Sequence, residues 1–207
     1  MRGRLGAAVL WGNTRERPTC HGTLRTVTEP WPLSAAATRA FMTGRAKPAE
    51  ALALACKELV LLGAISLREQ PGAGLKAGPV LHMTIRDWPV AQSSDLHQVL
   101  TALRTSCPEG GLIPQVLRAV LDREPHLAES VLQAAVLSLV SRELVVAGPK
   151  GKLEMTVGGK IQRIQLDRHL AWLKQRGYET GVPVPVLLAA QPWRRHEFDD
   201  AVRSAHG

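Results

Sequence analysis

A chain of 207 residues with 45% hydrophobic content can bury a substantial core, as one large domain or two small ones, and is excluded from disorder throughout. Its formal charge of +8 and pI near 10.0 favour acidic partners, either nucleic acid or anionic lipid head groups. Arginine outnumbers lysine 19 to 7; planar guanidinium suits phosphate, although a GC-rich coding bias accounts for the same excess along with the Ala, Gly and Pro content.

Residues 1–31 mix Gly, Pro, Thr and Arg without sustained periodicity and are expected to form a mobile leader. Its apolar stretch is too short for a signal peptide, and Asn13 to Pro18 carries charge where a small-residue cleavage site would lie. Order is expected from Leu33. Ser34 is placed to cap a short helix reaching Met42, and Pro48 opens a second helix ending near Leu62 and Gly63. Leu52, Ala55, Cys56, Leu59 and Leu62 fall on one face by spacings of three and four, leaving Glu50, Lys57 and Glu58 on the wetter side. Ala64 to Arg68, a Gly and Pro loop, and Val80 to Ile85 then read as a hairpin, with Leu81, Met83 and Ile85 alternating with His82 and Thr84.

The pattern restarts after Trp88 and Pro89. Helices are expected at Asp95 to Arg104, Leu112 to Asp122 and His126 to Arg142, the last burying Val131, Ala134, Ala135, Leu139 and Val140. Leu144 to Ala147 and Leu153 to Val157 form a second hairpin. Leu81-His82-Met83-Thr84-Ile85 matches Leu153-Glu154-Met155-Thr156-Val157 at an offset of 72, and Ala49-Glu50 matches Ala128-Glu129 at 79. A longer first hairpin loop reconciles the two offsets at little cost. Gly158-Gly159 reads as a turn, followed by a helix from Leu166 to Gln175. Pro183, Pro185 and Pro192 argue against one long closing helix, and Trp193-Arg194-Arg195 opens a polar tail with at most a final helical turn or two. The expected fold is therefore mostly α with two small β-hairpins, an α+β chain of tandem winged-helix-like repeats: leader 1–31, first unit 32–89, second unit 90–165, and a carboxyl-terminal helix and tail 166–207.

Helices followed by a two-stranded wing form the winged-helix layout, in which the last helix before the wing is the usual DNA reader. Here the exposed side of that helix offers Glu129, Ser130, Gln133, Ser138 and Arg142, a poor set for reading bases. Positive charge is concentrated elsewhere: residues 1–45 and 149–176 each carry seven basic and two acidic groups. Lys150, Lys152, Lys160, Arg163 and Arg168, with Arg86 and the neighbouring aromatic Trp88, are the residues expected to meet an anionic surface.

Glu58-Leu59-Val60-Leu61-Leu62-Gly63-Ala64-Ile65-Ser66-Leu67 resembles the E-L-x-L-x-G-x-[IL]-x-L helix-to-strand passage of the Golgi phosphoprotein 3 family, and the order of later elements to about residue 175 is similar. The passage also resembles tandem winged-helix regions of bacterial proteins. The first resemblance implies a mostly helical fold that binds phosphoinositide head groups and associates peripherally with membranes. The family's leucine-rich opening segment and hydrophobic hairpin have no evident counterpart, so no binding residue is transferred.

Cys20, Cys56 and Cys107 are odd in number and widely spaced, which suits neither a disulfide framework nor zinc and points to a reducing cytoplasm. The seven histidines are scattered, no glycine-rich phosphate loop continues into Gly-Lys-Ser or Gly-Lys-Thr, and His196-Glu197-Phe198-Asp199-Asp200 reads as part of the solvated tail. No catalytic residue, metal or cofactor is expected. The function expected is a non-enzymatic adaptor with a protein partner and an affinity for anionic membrane surfaces. A DNA-binding regulator is the alternative.

Overall fold

The computed structural model describes residues 31–70, 80–86, 93–148, 152–176, 182–191 and 196–206. The leader through residue 30, the first hairpin loop with Gly72-Ala73-Gly74, Trp88 and Lys150 lie outside them. In chain order the described elements are α1 (Ala35–Thr43), α2 (Pro48–Leu61), β1 (Ile65–Gln70), β2 (Val80–Ile85), α3 (Ser94–Ser106), β3 (Gly111–Leu112), α4 (Ile113–Arg123), α5 (Leu127–Ser141), β4 (Val145–Ala147), β5 (Leu153–Met155), α6 (Val157–Arg176), α7 (Val184–Ala190) and α8 (His196–His206). The chain is mostly helical with small antiparallel sheets, an α+β architecture.

Local signals explain most boundaries. Ser34 caps α1, its Oγ accepting from the Ala37 N–H at 3.2 Å, and Gly44 ends the helix at φ 66°. Pro48 stands in the first turn of α2, where its missing N–H costs nothing. The helix closes through Gly63 at φ 82°; at the end of α5 the equivalent left-handed position is held by Glu143 at φ 55°.

α2 is the centre of the molecule. α1, α3, α5, α7 and α8 all pack against it, and every residue from Ala51 to Leu59 is buried. Lys57 and Glu58, expected on the wetter side, are therefore inside. The three-and-four spacing identifies a wet face only when one exists, and a helix surrounded by others has none. Conversely, Leu62 and Val140, expected inside, are exposed: Leu62 lies past the end of α2, and Val140 faces a groove beside α5.

One apolar core runs from Leu33 and Phe41 through Leu59, Met83, Leu103, Leu117 and Leu139 to Leu166, Val186 and Phe198. The two helix-and-hairpin units share it. They are also joined at the backbone, because β3 adds to the edge of the first hairpin: β2 pairs with β1 from Ile65↔Ile85 to Gln70↔Val80, and with β3 at His82↔Leu112 and Met83↔Gly111. β4 and β5 pair separately.

The hairpins differ in register. Met83 lies opposite Leu67, the third residue of β1, and is buried; Met155 lies opposite Val145, the first residue of β4, and is exposed. The matching pentapeptides thus occupy different places in their hairpins. What the units share is coarser: a helix, a left-handed closing residue and an antiparallel pair.

The carboxyl-terminal region is not a solvated tail. Pro185 sits in the first turn of α7, which buries Val186, Leu187, Leu188 and Ala189. α8 buries Phe198, Ala201 and Val202 against α2 and α4, and Ala205 packs beside them, a spacing of three and four that closes the core.

Candidate functional site

The surface that gathers the expected basic residues is the second hairpin and the helix that follows it. Thr156 builds the junction. Its hydroxyl accepts from the Gly159 N–H at 3.0 Å and donates to the Glu143 carbonyl, while its own N–H donates to Leu144 O at 3.1 Å. The cap starts α6 at Val157, nine residues earlier than the sequence suggested, so Gly158 and Gly159 lie in the first helical turn and form no hairpin turn. Gly159 is required there because a Cβ would stand 1.9 Å from the Leu144 carbonyl oxygen.

α6 carries two opposed seams. Gly159, Leu166 and Leu173 are buried, while Val157, Ile161, Ile164, Arg168, Ala171 and Gln175, also spaced by three and four, are exposed. Lys160 is exposed beside the outer seam, and Lys152 is exposed just before β5. Lys160 and Arg168 are thus about 12 Å apart along one helix. Arg163 has a different employment: it bonds Asp167 at 3.1 Å and the Met42 carbonyl at 3.1 Å, fastening α6 to α1. Trp31, assigned from sequence to the leader, supports the same helix. It donates to Thr38 at 2.8 Å and meets His169 edge-on at 5.9 Å. Arg86 stands exposed at the end of β2, in the other sheet; its N–H bonds Ala64 O, and its carbonyl accepts from Arg104.

Two further features were invisible to sequence reasoning. A groove of about 800 Å³ beside α5 is lined by Ser94, Gln98, Gln133, Leu137, Val140 and Arg142. It holds part of the α5 surface, where Glu129, Ser130, Gln133 and Arg142 are exposed as expected and Ser138, also expected there, is half-buried. The second feature is a buried polar cluster at the start of α1. Ser34 donates to Asp95, and Glu58 accepts from the Ala35 N–H at 2.6 Å. Ser34 is enclosed and occupied with capping, so the cluster organises a helix end and presents no nucleophile to solvent.

Burial pushes the Glu58 carboxyl up to about 8; the Ala35 N–H opposes the shift and the nearby Asp95 carboxylate adds to it. A folded value above the unfolded one means that the contribution is fully present below about pH 4.5 and is lost as the pH rises through 8. Stability should fall by about 3 to 4 kcal/mol between pH 5 and pH 8 through this group. Glu58→Gln, which keeps an acceptor for Ala35, should flatten that slope in urea titrations; an unchanged slope would remove Glu58 as its source.

Cys56 is buried in α2, and desolvation pushes its thiol up to about 12, with Lys57 opposing, so it serves as a small core residue. Among the described residues, no group of three or more His, Cys, Asp or Glu side chains could hold a metal ion, and no helix is long and apolar enough to cross a membrane. Comparison with protein-family models, with curated proteins and with solved structures finds no match.

Proposed function

We propose that the chain is a non-enzymatic adaptor, built from tandem winged-helix-like units, that docks peripherally on anionic lipid head groups through β4, β5 and α6. The observation that carries this reading is the exposure of Lys152, Lys160 and Arg168 on one hairpin and its following helix, each ion-paired to no other described residue. The segment 149–176 holds seven basic and two acidic residues, so its local field is positive. Cations at an anionic membrane contribute about 1 kcal/mol each, so three give about 3 kcal/mol, an affinity gain on the order of 100-fold that salt should screen.

The resemblance of the Glu58 to Leu67 passage to the Golgi phosphoprotein 3 family agrees with this reading, as does the order of a helix followed by a wing in each unit. DNA binding is the second reading, favoured by that same order, but Glu129 and Ser130 on the exposed side of α5 suit phosphate and base edges poorly.

Co-sedimentation with phosphatidylserine-containing vesicles, beside pure phosphatidylcholine vesicles and a DNA mobility shift, tests the proposal. Binding to the anionic vesicles alone, weakened by salt, is expected. A DNA shift without vesicle binding would establish the second reading, and binding to neither would leave a protein partner as the adaptor's target.

A further inference from the structure

We infer that the outer seam of α6 is a membrane-insertion edge, in which Val157, Ile161 and Ile164 enter the acyl boundary of an anionic bilayer while Lys160 and Arg168 hold the head groups. The inference rests on the lipid-docking reading above and adds to it a site made of apolar side chains. Val157, Ile161 and Ile164 are 76%, 60% and 55% exposed. Large β-branched residues at this exposure, aligned by spacings of four and three on a helix whose opposite seam is already buried, have no role in the core. Met155, two residues before α6, is also exposed, whereas Val146 pairs with Glu154 on the other face of the hairpin.

Two observations select a bilayer as the occupant. The seam is the exposed side of a single helix, with basic residues beside and beyond its apolar part, an order that suits anionic head groups lying over an apolar layer. A second copy fits worse. The three side chains offer roughly 100 Å² each, about 300 Å² together, against the roughly 800 Å² per partner of a stable interface. Two positively charged segments 149–176 would also repel one another.

The side chains project to solvent, so Ile161→Ser with Ile164→Ser should leave the fold intact, which the thermal melt of the full chain checks. With vesicles of phosphatidylcholine and phosphatidylserine, the double variant should partition about tenfold more weakly than the unmodified chain, even where salt has removed most of the electrostatic attraction. In an Ile161→Trp variant, fluorescence in excess of the native tryptophans should shift to the blue on binding and be quenched by lipids brominated on their acyl chains. If the chain binds anionic vesicles but the double serine variant binds equally and the added tryptophan is not quenched, docking is by charge alone; insertion is then wrong and the proposed function survives. If the unmodified chain binds no anionic vesicle, both fail. A concentration-dependent dimer that the serine substitutions abolish, with no vesicle quenching, would assign the seam to a second copy and overturn the inference.

Discussion

Asp199→Ala should cost the fold about 3 kcal/mol, more than a surface carboxylate normally could. Its partner is the reason. Lys57 is fully enclosed on the central helix α2, and its Nζ lies 2.6 Å from Asp199 Oδ2 on α8, whose side chain keeps 27% of its exposure. Removing the carboxylate takes this counter-charge from a buried ammonium, and breaking a buried pair from one side costs several times what an exposed ion pair contributes. Replacing both partners should be far milder: Lys57→Met with Asp199→Ala fills the same space with an apolar chain and is expected to recover most of the loss. Urea denaturation of the two single variants and the double variant gives the coupling directly. Additive effects would show that the Lys57–Asp199 pair does not hold α8 to α2.

Two adjacent glycines should respond with opposite signs. Alanine is favoured over glycine in a helix by about 1 kcal/mol, and at Gly158 the added Cβ would meet only ordinary contacts, Glu143 O at 3.5 Å and Thr156 Oγ1 at 3.7 Å. Gly158→Ala should therefore stabilise by about 0.5 kcal/mol. At Gly159 the Cβ would lie 1.9 Å from Leu144 O, a backbone atom that also accepts from the Thr156 N–H. Relief requires α6 to move away from β4, so Gly159→Ala should destabilise by about 3 kcal/mol despite the better helix propensity. Thermal melts of the two variants measure the difference. Equal shifts of the same sign would contradict the close packing of α6 on the second hairpin.

Where the sequence carried strong local chemistry, the fold was legible in it. The Ser34 cap, Pro48, Gly63 and the Val80 to Ile85 alternation located α1, α2 and the first hairpin within a residue or two at most ends. The failures came from neighbours. No periodicity shows that α2 is covered on every side, so Lys57 and Glu58 were assigned to the surface although Lys57 needs Asp199, 142 residues away. The signal for α8 was present in Phe198, Ala201, Val202 and Ala205, but the charges between them suggested a tail. Thr156, three residues before Gly159, is a readable cap, but the paired glycines that follow it carry the composition of a turn.

The proposed site was legible in its charges and not in its apolar part. Lys152, Lys160 and Arg168 were singled out from local composition alone and stand exposed, whereas Arg163 is a tie between helices. Val157, Ile161 and Ile164 were missed for a geometric reason. A helix with apolar residues on two opposed seams has almost no net amphipathic direction, and only the packing of Leu166 and Leu173 reveals which seam remains outside.

Membrane docking through the second hairpin and α6 is decided by the partition of the full chain onto phosphatidylserine-containing vesicles, measured with and without Lys160→Glu and Arg168→Glu. Both side chains are exposed, so the reversals should leave the melting temperature within a few degrees of its starting value. The unmodified chain should bind, and the double reversal should lower binding at low salt on the order of 100-fold. Equal binding by both proteins would contradict this docking, because the hairpin and α6 would then not be the surface that meets the membrane.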